Sequence, residues 1–402
     1  MHLPDPALTF TLPSLHDNLT LNCRIYHPLG LAASNSTAGW RPKHAAVLGH
    51  PYAPLGGSYD DPVVEDVAAH LVRAGFVVAT FNFRSATPAQ AFGLAMLKGA
   101  ANSEGRTSWS AKPEREDYTT LVGFLTYYIH YLDNHESRPH NPGSPTLLMG
   151  GYSYGAMITA QIPPLSSILA QFTSPSITST PGLLRTRAES LGTQQRELLQ
   201  MYSGRRSLRV GECSSPRKSH DSRRSFSLDD AEEKLRKGVQ DFIAKTRHHH
   251  HLAAPASAID GKTDPPRSAP GSPAAEAPAE DATLQSLPDL LRPSAAYLLI
   301  SPLQGLISNL ATMSRAPGSS LAEGKLRHNP TLAIYGDHDV FVPVGKLRGW
   351  VERMQGAEGS RFRGEEISGA GHFWVEHGVF NQMGDLVSRF SREIISDEMT
   401  ET

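Results

Sequence analysis

Gly151-Tyr152-Ser153-Tyr154-Gly155 stands where an apolar run, residues 145–150, gives way to a helix-compatible run beginning at Ala156. A serine in that place sits on a tight strand-to-helix turn with its hydroxyl exposed, and the two flanking glycines relieve the crowding that any Cβ would cause. The pentapeptide alone is a weak signal, because Gly and Ser are common residues. The apolar strand before it and the partners after it supply the context that a serine nucleophile elbow needs.

Those partners come in a fixed order. Residues 331–335 form a short apolar run that leads into Gly336-Asp337-His338-Asp339-Val340-Phe341-Val342-Pro343, and Ser368-Gly369-Ala370-Gly371-His372-Phe373-Trp374 follows another extended segment. Serine, then acid, then histidine is the order of an α/β-hydrolase triad, and with these residues the chain resembles the α/β-hydrolase superfamily. His50-Pro51-Tyr52-Ala53-Pro54-Leu55-Gly56-Gly57, followed by Phe81-Asn82-Phe83-Arg84, narrows the likeness. It is similar to a branch of predicted hydrolases marked by His-Pro, a Gly-Gly a few residues on, and Asn-Phe-Arg after the next strand. The resemblance covers about residues 7–162 and 295–395.

A serine hydroxyl is a poor nucleophile at neutral pH and needs a base within hydrogen-bond reach, itself oriented by a third group. Ser153, His372 and Asp339 fill those roles. Asp337 competes for the acidic one; the resemblance favours the second acid of the Gly-Asp-x-Asp run, and Asp337 suits a turn residue that accepts backbone N–H bonds. His372 is preferred over His338 and His377 because small residues at 369–371 let its loop swing over the nucleophile. The oxyanion hole would take one donor from the N–H of Tyr154 and a second from the loop after the third strand. Tyr52 is the candidate there by position, with Ala53 its neighbour. His50 is read as a brace for that loop, and Gly56-Gly57 as a point of close backbone passage, since no Lys-Ser/Thr pair follows them to hold phosphate. No metal or organic cofactor is implied.

The rest of the chain reads as alternating strands and helices. Alternating stretches at 8–12 and 19–26 predict antiparallel opening strands, and 45–49 and 76–81 are apolar enough for strands buried on both faces. Asp61-Pro62 predicts an N-cap with proline in the first helical turn, and Gly75 ends that helix. A second helix is expected over 114–132, a sixth strand near 295–302, an eighth near 363–367 and a final helix over 379–394. The fold class is therefore α/β, an α/β-hydrolase fold with a mostly parallel sheet of roughly eight strands flanked by helices.

From about 163 to 293 the composition shifts to Ser, Pro, Ala, Arg and His. This stretch is read as a largely disordered insertion between the two parts of the hydrolase domain, 1–162 and 294–396. Within it, 227–247 has an amphipathic helical pattern and 184–202 a weaker one. Ser85 to Lys98 interrupts the family pattern, which resumes at Gly99; it is either a genuine loop or a retained short intron. The run His248 to His251 lacks the separated ligands of a structural metal site. The basic run between Arg205 and Arg224 lacks the aromatic spacing of a nucleic-acid surface and is read as solvated linker, with Ser225 or Ser227 as sites whose phosphorylation would alter a helix cap.

With 402 residues and a formal charge of −2, the chain has no overall electrostatic case for nucleic acid or an acidic membrane. Its cysteines, Cys23 and Cys213, do not make a disulfide framework. No long uncharged apolar run suggests a membrane span, and the start of the chain lacks a secretory pattern, so a soluble, cytoplasmic protein is expected. The readings converge on a serine hydrolase acting on a small or medium acyl compound, ester ahead of amide or peptide. The competing reading is a non-enzymatic hydrolase-like module whose insertion binds a protein partner.

Overall fold

The computed structural model describes residues 2–28, 44–84, 103–108, 110–133, 145–206, 282–303 and 320–400. The described elements are strands β1 (Leu8–Pro13), β2 (Thr20–Tyr26) and β3 (Ala45–Gly49), helix α1 (Pro62–Ala74), β4 (Val77–Phe81), α2 (Lys112–Leu132), β5 (Thr146–Tyr152), α3 (Tyr154–Gln161), α4 (Leu165–Ala170), α5 (Thr180–Arg206), β6 (Ser294–Ile300), α6 (Ser320–His328), β7 (Thr331–His338), α7 (Val344–Gln355), β8 (Phe362–Gly371) and α8 (Val379–Thr400). They form one eight-stranded sheet of order β1-β2-β4-β3-β5-β6-β7-β8. β1 pairs antiparallel with β2 and β2 antiparallel with β4, while every pairing from β4 through β8 is parallel. This is the α/β-hydrolase architecture expected from the sequence.

The period of two in each central strand divides the core into two layers. Ala45 and Val47 of β3, Leu147 and Met149 of β5, and Tyr297 and Leu299 of β6 join one apolar cluster. Ala46, Leu48, Leu148, Leu298 and Ile300 join the other. The first cluster is closed by α2, α3 and α7, and the second by α1 and α8. Covering both faces explains why the strands read as continuous apolar runs rather than alternating ones. Helix α1 starts as predicted: Asp61 Oδ1 accepts from the N–H groups of Val63 (2.9 Å) and Val64 (3.4 Å), Pro62 occupies the first turn, and Gly75 closes the helix at φ 104°.

Composition misjudged the first part of the stretch 163–293. Helices α4 and α5 occupy much of it before residue 206, and Leu184, Ala188 and Leu191 are buried where α5 packs along α2. The chain after residue 281 is clipped back to the residues before α5: Ile177 N–H donates to Ala282 O, Leu284 N–H to Pro175 O, and Arg185 to Gln285 O. A few apolar positions at helical spacing suffice for this packing, although mean composition hides them. The predicted helix at 227–247, the His248 to His251 run and Ser85 to Lys98 lie outside the described residues.

Candidate active site

The strand-to-helix turn at Ser153 is strained. Ser153 has φ 55° and ψ −112°, a conformation that non-glycine residues rarely adopt. Two contacts require its neighbours to be glycine. A Cβ on Gly155 would lie 2.2 Å from Gly49 O, and one on Gly151 would lie 2.4 Å from the Gly155 carbonyl carbon. The elbow is tied sideways as well, since Ser153 N–H donates to Ile300 O at the end of β6 (2.8 Å). Its strain is thus held by the sheet on both sides.

His372 follows β8 directly and Asp339 follows β7, so adjacent parallel strands deliver them to the same edge of the sheet. The structure brings both to the elbow. His372 Nε2 lies 2.8 Å from Ser153 Oγ, and His372 Nδ1 lies 2.7 Å from Asp339 Oδ2. Both ionisable side chains are almost fully buried, with exposures of 2% for His372 and 1% for Asp339. Burial alone would raise the Asp339 pKa, but the His372 N–H and the amides of Val342 and Phe341 outweigh it and hold the carboxyl below its ordinary range. A carboxylate there requires a donor at Nδ1, which leaves Nε2 to accept from the serine hydroxyl. The histidine loop is fixed from below by Tyr152, whose hydroxyl donates to His372 O (2.9 Å), and by Trp374, whose indole N–H donates to Ser301 Oγ (3.1 Å).

Asp337, the other acid of its run, has a different task. Its Oδ1 accepts from Gly369 N–H (2.6 Å) and its Oδ2 from the Ser368 hydroxyl (3.1 Å), joining β7 to β8 below the site. His338 and His377 are exposed at the surface.

The loop after β3 turns tightly through Ala53–Leu55, where Tyr52 O accepts from Leu55 N–H (3.0 Å) and Gly57 N–H (3.2 Å). A Cβ on Gly57 would meet Pro51 O at 2.2 Å, so this glycine is needed for close passage. Tyr52 packs its ring 5.1 Å from that of Tyr154. Tyr154 is the first residue of α3, so its N–H has no acceptor within the helix and lies at the positive end of the helix dipole. His50 braces the loop. Burial lowers its pKa to about 4, against the pull of the Pro51 carbonyl, so it is neutral. Its Nδ1–H donates to Pro51 O (2.6 Å) while Nε2 accepts from Phe83 N–H (2.8 Å).

The Asn-Phe-Arg run has a structural account that sequence reasoning did not supply. Asn82 Oδ1 accepts from Tyr59 N–H (2.9 Å), and Asn82 O accepts from the Ser103 hydroxyl (2.7 Å). Arg84 is buried and donates through two nitrogens to both oxygens of Asp117 in α2 (2.8 and 2.6 Å) and through a third to Asp17 (2.7 Å). Ser103 and Thr107, whose hydroxyl donates to Arg84 O (3.1 Å), bring the chain back beside the place it left at Arg84. Sequence reasoning also missed Tyr152 and Phe341. Phe341 stands edge-on to His372 at 4.5 Å, and only its place two residues after the acid could have marked it.

No protein-family model and no curated protein matches this chain. Among solved structures it is similar to an α/β serine hydrolase without lid from Xanthomonas campestris, at 14% identity and a TM-score of 0.44, over 98% of this chain and 97% of that one. It is similar also to an α-β serine hydrolase homologue from Coxiella burnetii, at 15% identity and a TM-score of 0.42, over 96% and 98% of the two chains. Esterase 2 of Thermogutta terrifontis matches at 13% identity and a TM-score of 0.42, over 97% of this chain and 96% of that one.

Proposed function

We propose that this protein is a serine hydrolase that cleaves an acyl bond, a carboxylic ester ahead of an amide or peptide, through an acyl-enzyme intermediate. The reading is carried by the continuous hydrogen-bonded line Asp339–His372–Ser153 ending on a strained serine. His372 Nε2 takes the proton of Ser153 as its Oγ attacks the acyl carbon, and returns that proton to the leaving group. Asp339 holds the tautomer and stabilises the imidazolium. The N–H groups of Tyr154 and Tyr52 take the developing oxyanion. Water then enters where the leaving group departed, His372 removes its proton, and collapse of the second tetrahedral species frees the acid and restores Ser153.

The test is labelling of purified protein with a fluorophosphonate probe, which reports an activated serine whatever the acyl preference. Wild type labels, and Ser153→Ala and His372→Ala do not. An ester and amide panel then shows turnover of esters first. Well-folded wild type that fails to label, or Ser153→Ala that labels as fast as wild type, ends this reading.

A further inference from the structure

In the proposed reaction the leaving alcohol must come within hydrogen-bond reach of His372 Nε2, because that nitrogen returns the proton. Part-exposed groups packed against the imidazole therefore flank the alcohol. Phe341 lies edge-on to the His372 ring at 4.5 Å and Phe373 at 5.5 Å, and the two phenyl rings meet at 5.8 Å. Both phenyl side chains are only partly buried. Beside them in the chain, Val340 is 58% exposed and Val375 47% exposed. A single exposed valine is ordinary on a protein surface. Here the loops after β7 and β8 each carry a phenylalanine and an exposed valine, and both loops converge on one catalytic imidazole.

We infer that these four residues form the leaving-group subsite and that it selects esters of apolar, ring-sized alcohols. The inference rests on the serine-hydrolase reading above. A bound aromatic alcohol withdraws apolar surface of the rings and valines from water, a gain that scales with the area covered. A short polar alcohol leaves that surface wet and loses some of its own hydration. Selectivity between such alcohols is set by fit in a hydrophobic site, where the equivalent of one or two methylene groups changes efficiency by about tenfold or more.

The experiment compares kcat/KM for two esters of one acyl group, the one preferred in the panel, with benzyl alcohol or 2-methoxyethanol as the alcohol. Wild type prefers the benzyl ester by about tenfold. The surface double variant Val340→Ser/Val375→Ser, whose positions carry little of the fold, lowers that ratio at least threefold, and Phe373→Ala does so independently. Ile177→Ser, an exposed apolar residue outside both loops, keeps the wild-type ratio. Normal fluorophosphonate labelling with no benzyl preference, including turnover of neither ester, overturns the subsite while leaving the hydrolase reading in place. Equal losses on both esters in the double variant overturn it too. Loss of labelling in wild type removes the reading itself, and the subsite with it.

Discussion

The two acids of the Gly-Asp-x-Asp run differ in what a change of charge would disturb. Asp339 accepts one N–H from His372 and two backbone amides, so the same carboxylate that holds the turn also sets the imidazole tautomer. In Asp339→Asn the amide oxygen can still cap the turn, but an amide N–H facing Nδ1 favours the proton on Nε2. That nitrogen then cannot accept from Ser153. The expected loss in kcat is on the order of a thousandfold to ten-thousandfold, by the same logic that makes a triad aspartate indispensable. Asp337 only accepts from Gly369 N–H and the Ser368 hydroxyl, roles that an asparagine oxygen keeps in part. Asp337→Asn is therefore expected to stay within about threefold of wild type in kcat, with little change in stability. Rates of fluorophosphonate labelling for the two variants decide it. A larger loss at Asp337 would transfer the orienting role to that residue.

Elements are joined around the site by contacts that no local pattern announces. Arg84 lies just past β4, Asp117 in α2 and Asp17 in the turn between β1 and β2, yet one buried guanidinium bonds them all, together with Ser14. Among the described residues, removing it in Arg84→Met leaves fully buried Asp117 with the Ser14 hydroxyl as its remaining side-chain donor, an unpaired charge that costs about 3–5 kcal/mol. Arg84→Met/Asp117→Leu removes both charges and is expected to be more stable than the single variant; urea unfolding measures the difference, and a double variant less stable than the single one would mean that Asp117 holds the fold by other means. The same geometry explains which parts of the fold were legible. Buried strands announce themselves by unbroken apolar runs, and the cap at Asp61-Pro62 and the stop at Gly75 are local chemistry, so α1 and the central strands could be read directly. The order of serine, acid and histidine gave the members of the candidate site, whereas Gly369 to Gly371, read as small residues that let the histidine loop swing, are the end of β8, tied to β7 through Asp337. Arg84 could be singled out only as a motif, because its partners lie 33 and 67 positions away. Helix α5 was undervalued for a related reason: Leu184, Ala188 and Leu191 make a narrow apolar stripe in an otherwise polar stretch, and only α2 beside them turns it into core.

At the scale of the molecule, buried titratable groups give stability a definite dependence on pH. His50 and His27 are both lowered by burial to about 4, so between pH 6.5 and 4 the unfolded chain takes up protons that the native chain refuses. Stability therefore rises with pH across that window, with His50 alone contributing about 3 kcal/mol at most. Asp61 acts with the opposite sign: burial raises it to about 6, so the native chain binds its proton first and gains stability as pH falls from about 6 towards 4. Asp61 and His27 are both partly exposed, so their opposed effects are both discounted, and His50, fully buried, sets the sign. Below the usual carboxylate range, Asp339 and Asp17, both held low in the fold, add to the acid loss. A second window opens above neutrality. Lys325 Nζ is buried beside Thr159 O (2.8 Å) and Ile162 O (2.6 Å) at the end of α3, and burial lowers it to about 7. From pH 7 to about 10 the unfolded chain keeps a proton that native Lys325 has released, so stability climbs again. Urea midpoints taken from pH 4.5 to 9 should rise through pH 6.5 and then rise further above 7, and Lys325→Met, whatever its absolute stability, should lose the second rise alone. A midpoint that falls between pH 4.5 and 6.5 would show that raised carboxylates such as Asp61 outweigh the buried histidines. An unchanged slope above pH 7 in Lys325→Met would show that the native lysine stays charged, held by the carbonyls at the end of α3.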